Sequence, residues 1–168
     1  MEQWDVLTRN GRPTGRIVSR GGPTLKKGEY HLVVHIWVTD GRGNLLIQRR
    51  SDDKPQMAGE WAAIGGSAVS GETSLGAARR ELREEMGLDR SAEEMRHIGR
   101  MPRRNSLLDL YLTEYHDTVL SLDLQTDEVA EARWVSAAEL KKRIKEGGFH
   151  DYGEEYFAMV FAALENKQ

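Results

Sequence analysis

Residues 66–88, GSAVSGETSLGAARRELREEMGL, join a glycine-rich loop to a helix-forming run that carries three glutamates. From Ser74 to Met86 nearly every residue favours a helix. Thr73 or Ser74 can cap its start, and Gly87 stands where a left-handed cap would end it. Leu75, Ala78, Leu82 and Met86 recur at helical spacing, so one stripe of this helix must face a core. Glu81, Glu84 and Glu85 fall on a neighbouring flank, three or four residues apart. Each like-charge pair there costs about 0.2–0.5 kcal/mol when exposed and more when partly buried. Such a flank is either a solvated acidic face or a ligand set for a hard divalent cation, Mg²⁺ or Mn²⁺, since oxygen is the only ligand atom it offers. Arg80 four residues before Glu84, Glu72 just ahead of the helix, and Gly65, Gly66 and Gly71 in the loop weigh toward the second reading. The glycines let backbone bend tightly and approach a ligand.

The chain around this stretch reads as one domain over residues 1–168. It is long enough to bury a core without staples. A net charge of −3 with 30% charged residues gives no general attraction to nucleic acid or membrane. There is no cysteine, which excludes disulfides, thiolate metal sites and a cysteine nucleophile and suits a reducing cytoplasm. The polar first ten residues carry no leader-like apolar core. The longest apolar-rich run, residues 31–38, is far short of a membrane span.

In chain order, residues 4–7 and 16–18 flank a turn at Asn10–Pro13 and predict a β-hairpin, so residues 1–28 form an N-terminal extension. HLVVHIWVT at 31–39 and NLLIQRR at 44–50 predict two strands joined by an Asp40–Gly43 turn. His31 and His35 share one face of the first strand and read as half-buried strand residues. Arg49 and Arg50 end the second strand beside a flexible loop, 51–60, where their guanidinium forks could meet a phosphate or simply be solvated. Trp61 reads as core packing. Strands are expected at 61–64, 94–101, 107–115 and 132–135, with an acidic loop at 127–131. A helix capped by Ser136, with Glu139 three residues on, runs to about Glu146, and a closing helix spans 154–166. Mixed strands among a few helices predict an α/β sandwich, a sheet covered on both faces.

Gly66, five residues, Glu72, seven residues, Arg80-Glu81-Leu82, one residue, Glu84-Glu85, one residue, Gly87-Leu88 matches every fixed position of GX5EX7REUXEEXGU, with U aliphatic. The chain therefore resembles the Nudix hydrolase superfamily, with the complete box at 66–88, and its N-terminal part resembles the branch that looks like isopentenyl diphosphate isomerase. The resemblance implies the Nudix fold, an α/β/α sandwich with a mixed central sheet. It also implies a Mg²⁺- or Mn²⁺-dependent pyrophosphohydrolase acting on a nucleoside diphosphate linked to another group. Glu81, Glu84, Glu85 and the Gly66 carbonyl would then hold the metal, with Arg80 and Glu72 orienting the glutamates from behind. A base would come from Glu128 or Glu131 in the 127–131 loop, or from Glu81. Arg49 and Arg50 would bind substrate. An isomerase of the isopentenyl diphosphate type is the second reading, set against which Ala63, Ile64 and Gly65 stand where that class has a cysteine. A non-catalytic nucleotide-binding sensor is the third, although such modules commonly lose a box acid and none is missing here. The small-molecule partner would be a nucleotide or nucleotide conjugate, and homodimers are common in the superfamily.

Overall fold

The alternation of apolar residues sets where each strand buries its side chains, and the computed structural model, which describes residues 1–23 and 25–166, places them on two faces of one sheet. β1 (Gln3–Leu7) and β2 (Pro13–Ser19) pair antiparallel as the N-terminal hairpin. β3 (His31–Thr39), β4 (Asn44–Arg50), β5 (Trp61–Ala62) and β6 (Ile64–Ser67) follow, then α1 (Ser74–Met86). After α1 come β7 (Arg96–Pro102), β8 (Ser106–Glu114), a short 3-10 turn (Val119–Ser121), β9 (Val129–Ser136), α2 (Ala137–Lys145) and α3 (Glu154–Glu165). β3 and β8 run parallel in register from His31↔Ser106 to Thr39↔Glu114, while the other pairings are antiparallel, so the sheet is mixed.

Even-numbered residues of β3, Val34, Ile36 and Val38, pack with Leu46 and Ile64 against Ala77, Ala78, Leu82 and Met86 of α1. On the opposite face Trp37, Leu45, Ile47, Leu108 and Leu110 meet Leu140 of α2 and Tyr156, Phe157 and Val160 of α3. These are the two covered faces that the sequence predicts. No helix among the described residues is long and apolar enough to cross a membrane.

One departure from a regular sheet positions the site. β3 and β4 pair only at Val38↔Leu46 and Thr39↔Leu45, then splay apart. Residues 61–67 fill the gap: β5 bonds to β4, and β6 bonds to β3 through His35↔Gly65 and Val34↔Gly66. Gly65 has φ 148°, and a Cβ there would stand 2.0 Å from the Val34 carbonyl oxygen. Only glycine fits this junction. The glycine pair is thus wedged into the sheet immediately before the loop that leads into α1.

Boundaries agree closely with expectation for β3, β4 and α1, and differ at β9. That strand begins at Val129, so the second half of the expected acidic loop is β-structure paired with β4, and Glu131 lies on a strand opposite Arg49. Val129 is fully buried, and its packing there decides the strand start over the acids that flank it.

Candidate active site

α1 starts with Thr73 accepting from the Gly76 N–H at 3.1 Å and ends at Gly87, φ 68°, as its spacing predicts. Arg80, nearly two turns into the helix, organises the acids around it. Its Nε and Nη2 donate to Glu72 at 2.9 and 3.0 Å, and its Nη1 to Glu81 at 2.8 Å and Glu84 at 3.0 Å. Nη2 also donates to the Ser67 carbonyl at 3.1 Å, and Glu72 in turn accepts from the Val69 N–H. Those bonds to Glu72, with the charges of Glu81 and Glu84, hold the guanidinium protonated against its partial burial. The arginine ties loop to helix, and Glu72 holds it in place.

Glu85 behaves differently. It is 4% exposed and accepts from the Gly65 N–H at 3.1 Å and from Gln48 Nε2 at 3.0 Å, with no ion pair among the described residues. Burial pushes its carboxyl up to about 8, with the charge of Glu81 adding to the rise and the two hydrogen bonds opposing it. Glu81 is also raised by burial, against which Arg80 works. A Cβ on Gly66 would lie 2.5 Å from Glu81 Oε1, so this glycine admits the carboxylate against its backbone. Gln48 Oε1 is buried beside Glu85 with no partner.

In this arrangement no three acidic or histidine side chains among the described residues converge on one point. Arg80 draws Glu81 and Glu84 toward itself, while Glu85 turns to Gly65 and Gln48. The donor set nevertheless fits a hard divalent cation. It is all oxygen, it includes a buried carboxylate without an ion-pair partner among the described residues and an orphaned amide oxygen, and it has a 47% exposed carboxylate, Glu84, held by Arg80 alone among the described residues.

The remaining expected residues separate. Arg49 pairs with Asp52 at 3.0 Å and lies 4.0 Å from Glu131. Arg50 donates to the Gln56 carbonyl at 3.3 Å, and its charge acts on Glu85, His35 and Tyr152. The pairing with β9 shifts register between Arg49 and Arg50, and of the two it is the Arg50 charge that acts on the buried glutamate. Glu128 is ion-paired with Lys54, and Glu131 with Arg133 at 2.6 Å. Trp61 packs half-buried against the Trp37–Tyr156 side of the core, as its reading predicts, with the guanidiniums of Arg133 and Arg143 5.0 and 5.5 Å from its ring.

Three neighbours of the box, Gln48, Tyr152 and Asp5, were not singled out in the sequence, while His35 is the half-buried strand residue it was read to be. Gln48 had a signal: it is the polar member of an otherwise apolar strand segment, on the same parity as Leu46. His35 Nδ1 lies 2.9 Å from the Tyr156 hydroxyl, which also accepts from Trp37 Nε1 at 2.9 Å. Burial, with the charges of Arg103, His150 and Arg50, holds the His35 pKa down to about 3. Tyr152, whose hydroxyl accepts from the Ala63 N–H at 3.3 Å, packs edge-on to His35 at 4.8 Å. Asp5 of β1 clasps the box loop: its carboxylate accepts from Ser70 Oγ at 2.6 Å and the Gly71 N–H at 2.8 Å. His31, by contrast, is a strand residue as read, stacked on Trp4 at 4.2 Å.

The model of the NUDIX domain family matches residues 29–155. An uncharacterized Nudix hydrolase of Listeria monocytogenes is 37% identical over 153 residues, spanning 90% of each chain. An isopentenyl-diphosphate Delta-isomerase of Photorhabdus laumondii is 32% identical over 127 residues, 71% of this chain and 70% of that one. Among solved structures, a Deinococcus radiodurans protein superposes with a TM-score of 0.77 at 22% identity, covering 95% of this chain and 98% of the other.

Proposed function

The chain belongs to the NUDIX domain family, and from that premise we propose that it is a Mg²⁺- or Mn²⁺-dependent pyrophosphohydrolase cleaving the diphosphate linkage of a nucleoside diphosphate joined to another group. The observation that carries this reading is Glu85: a buried carboxylate with no ion pair among the described residues, beside the orphaned Gln48 oxygen, in a complete set of box acids. A structural role would have supplied a lysine or arginine there.

Glu81, Glu84, Glu85 and the Gly66 carbonyl would hold the metal. When bound, a divalent ion supplies positive charge to phosphoryl oxygens and lowers the pKa of an attacking water. Arg80, braced by Glu72 and the Ser67 carbonyl, keeps Glu81 and Glu84 oriented toward the loop. Glu128, whose carboxylate Lys54 holds, would take the proton of the attacking water, with Glu131 and Glu81 as the other candidates for that role. Arg50 binds a phosphate of the substrate, and Arg49, tied to Asp52 and Glu131, forms the rim. Residues 1–168 act as one domain, with 1–28 as an extension that clasps the box loop through Asp5.

The likeness to an isomerase keeps that activity as the alternative. Its reaction needs a thiol ahead of the box, and Ala63, Ile64 and Gly65 occupy those positions, so hydrolysis is the reading favoured here. The deciding experiment measures phosphate release from nucleoside di- and triphosphates, nucleotide sugars, dinucleoside polyphosphates and coenzyme A, with Mg²⁺, with Mn²⁺ and with chelator. Metal-dependent cleavage of one class is expected. Nucleotide binding without turnover of any of them would make the protein a sensor instead.

A further inference from the structure

On the face of β3 opposite α1, a short hydrogen-bond relay ends at His35, beside the glycine whose N–H bonds to Glu85. Trp37 Nε1 can only donate, so the Tyr156 oxygen accepts from it. The Tyr156 hydroxyl proton then needs an acceptor, and among the described residues the only other partner of that oxygen is His35 Nδ1. Were Nδ1 protonated instead, the tyrosine oxygen would accept twice and its own proton would be left unsatisfied in a side chain that is 0% exposed. An unmade bond of that kind costs more than a made one contributes. The ring is neutral, so its proton sits on Nε2.

Where Nε2 lies follows from Gly65. A Cβ on Gly65 would stand 3.0 Å from His35 Cδ2, the carbon bonded to Nε2. The same glycine donates its N–H to Glu85. His35 and Glu85 therefore meet at one residue. Nε2 has no hydrogen-bond partner among the described residues, and His35 is only partly buried. Positive charge lies nearby: the Arg103 guanidinium stands 5.8 Å from the Tyr156 ring centre with its Nη2 on the Tyr152 carbonyl at 2.7 Å, and the charge of Arg50 acts on both His35 and Glu85. A diphosphate whose one phosphoryl group is engaged at the carboxylates must place its other phosphate within a few ångströms, and donors and positive charge are what that phosphate requires.

We propose that His35 donates its Nε2–H to a substrate phosphate oxygen, with Arg50 and Arg103 completing an anion subsite on the side of Gly65 opposite the glutamates. This rests on the pyrophosphohydrolase reading for its substrate class. Tyr156 is a positioning residue: it sets the tautomer and touches no substrate.

The test is long-range ¹H–¹⁵N NMR on histidine-labelled protein, with inorganic pyrophosphate added with and without Mg²⁺, His35→Gln assigning the resonance. The expected spectrum has a bare Nδ1 and a protonated Nε2, and pyrophosphate shifts the Nε2–H signal. A proton on Nδ1, or a ring untouched by pyrophosphate, overturns the proposal without any variant having to fold. By calorimetry, His35→Asn, whose amide reaches only the Nδ1 position, should weaken Mg²⁺-pyrophosphate binding at least tenfold. His35→Gln, which can place an N–H near Nε2, should lose less than threefold. Tyr156→Phe should mix the two tautomers, which loss of packing alone would not do. Equal binding by His35→Asn and wild type overturns the assignment. Mn²⁺ binding followed by electron paramagnetic resonance separates the two readings: its failure counts against the carboxylate site, while the His35 response to pyrophosphate still decides this one.

Discussion

Two buried carboxylates anchor opposite ends of α1, and they have opposite electrostatic fates. At the first turn, Asp109 of β8 is 1% exposed and accepts from Arg100 at 2.5 and 2.6 Å and from the Ser74 hydroxyl at 2.5 Å, with Tyr111 donating to Ser74 behind it. Burial works to raise its pKa, but the Arg100 and Ser74 hydrogen bonds outweigh that, and the carboxyl sits below its usual range. At the last turn, Glu85 is buried almost as deeply with two neutral donors, and burial wins. The contrast separates a carboxylate that completes a structure from one whose charge is left for a ligand to balance. Buried ions are ordinarily paired, so the unpaired one points to function.

The most severe break in this contrast is at the functional end. Glu85→Gln and Glu84→Gln should each lower metal-dependent turnover by orders of magnitude, while the melting temperature of metal-free Glu85→Gln holds or rises, because the amide carries no charge to desolvate. Phosphate-release assays and calorimetry on both variants check this, and full activity in both would remove the metal assignment. At the structural end, Asp109→Asn should cost about 3 kcal/mol in urea unfolding, the low end for a broken buried pair because the Arg100 side chain is 38% exposed. The folded fraction should keep its activity.

The pH dependence sharpens the comparison further. The raised pKa of Glu85 means that the folded protein holds a proton the unfolded chain releases. Its contribution is therefore fully present below the ordinary glutamate value of 4.5 and is lost as pH rises toward about 8. Metal-free protein should lose stability by a few kcal/mol across that window, and Glu85→Gln should flatten the slope. Asp109 runs the other way: its lowered pKa contributes stability above the ordinary aspartate value of 3.8, lost only as pH falls below it. The smallest effect belongs to Asp5, a half-buried carboxylate between these extremes. Asp5→Ala should cost about 1 kcal/mol and speed hydrogen exchange at the Gly71 amide, with the metal site intact.

The local geometry of the site was legible in the chain itself. α1 begins and ends where Thr73 and Gly87 predict, because caps and helical periodicity act over a few residues and need no tertiary partner. The strands β3 and β4 were equally plain from runs of β-branched and aromatic residues. Three box glutamates on one flank, with Arg80 among them, follow from spacing alone.

What the sequence could not decide is which of those glutamates is buried and what surrounds it. Glu81, Glu84 and Glu85 look alike in the chain, yet Glu85 is enclosed and Glu84 is half in solvent, because β6 is wedged between β3 and β4 and brings Gly65 and Gln48 onto one of them. The pairing of Asp109 with Arg100, and the relay from Trp37 through Tyr156 to His35, join residues 9 to 121 positions apart. Short-range propensity carries no information about such contacts. Desolvation depends on everything packed around a group, so the charge states that distinguish one end of α1 from the other are set by the tertiary structure.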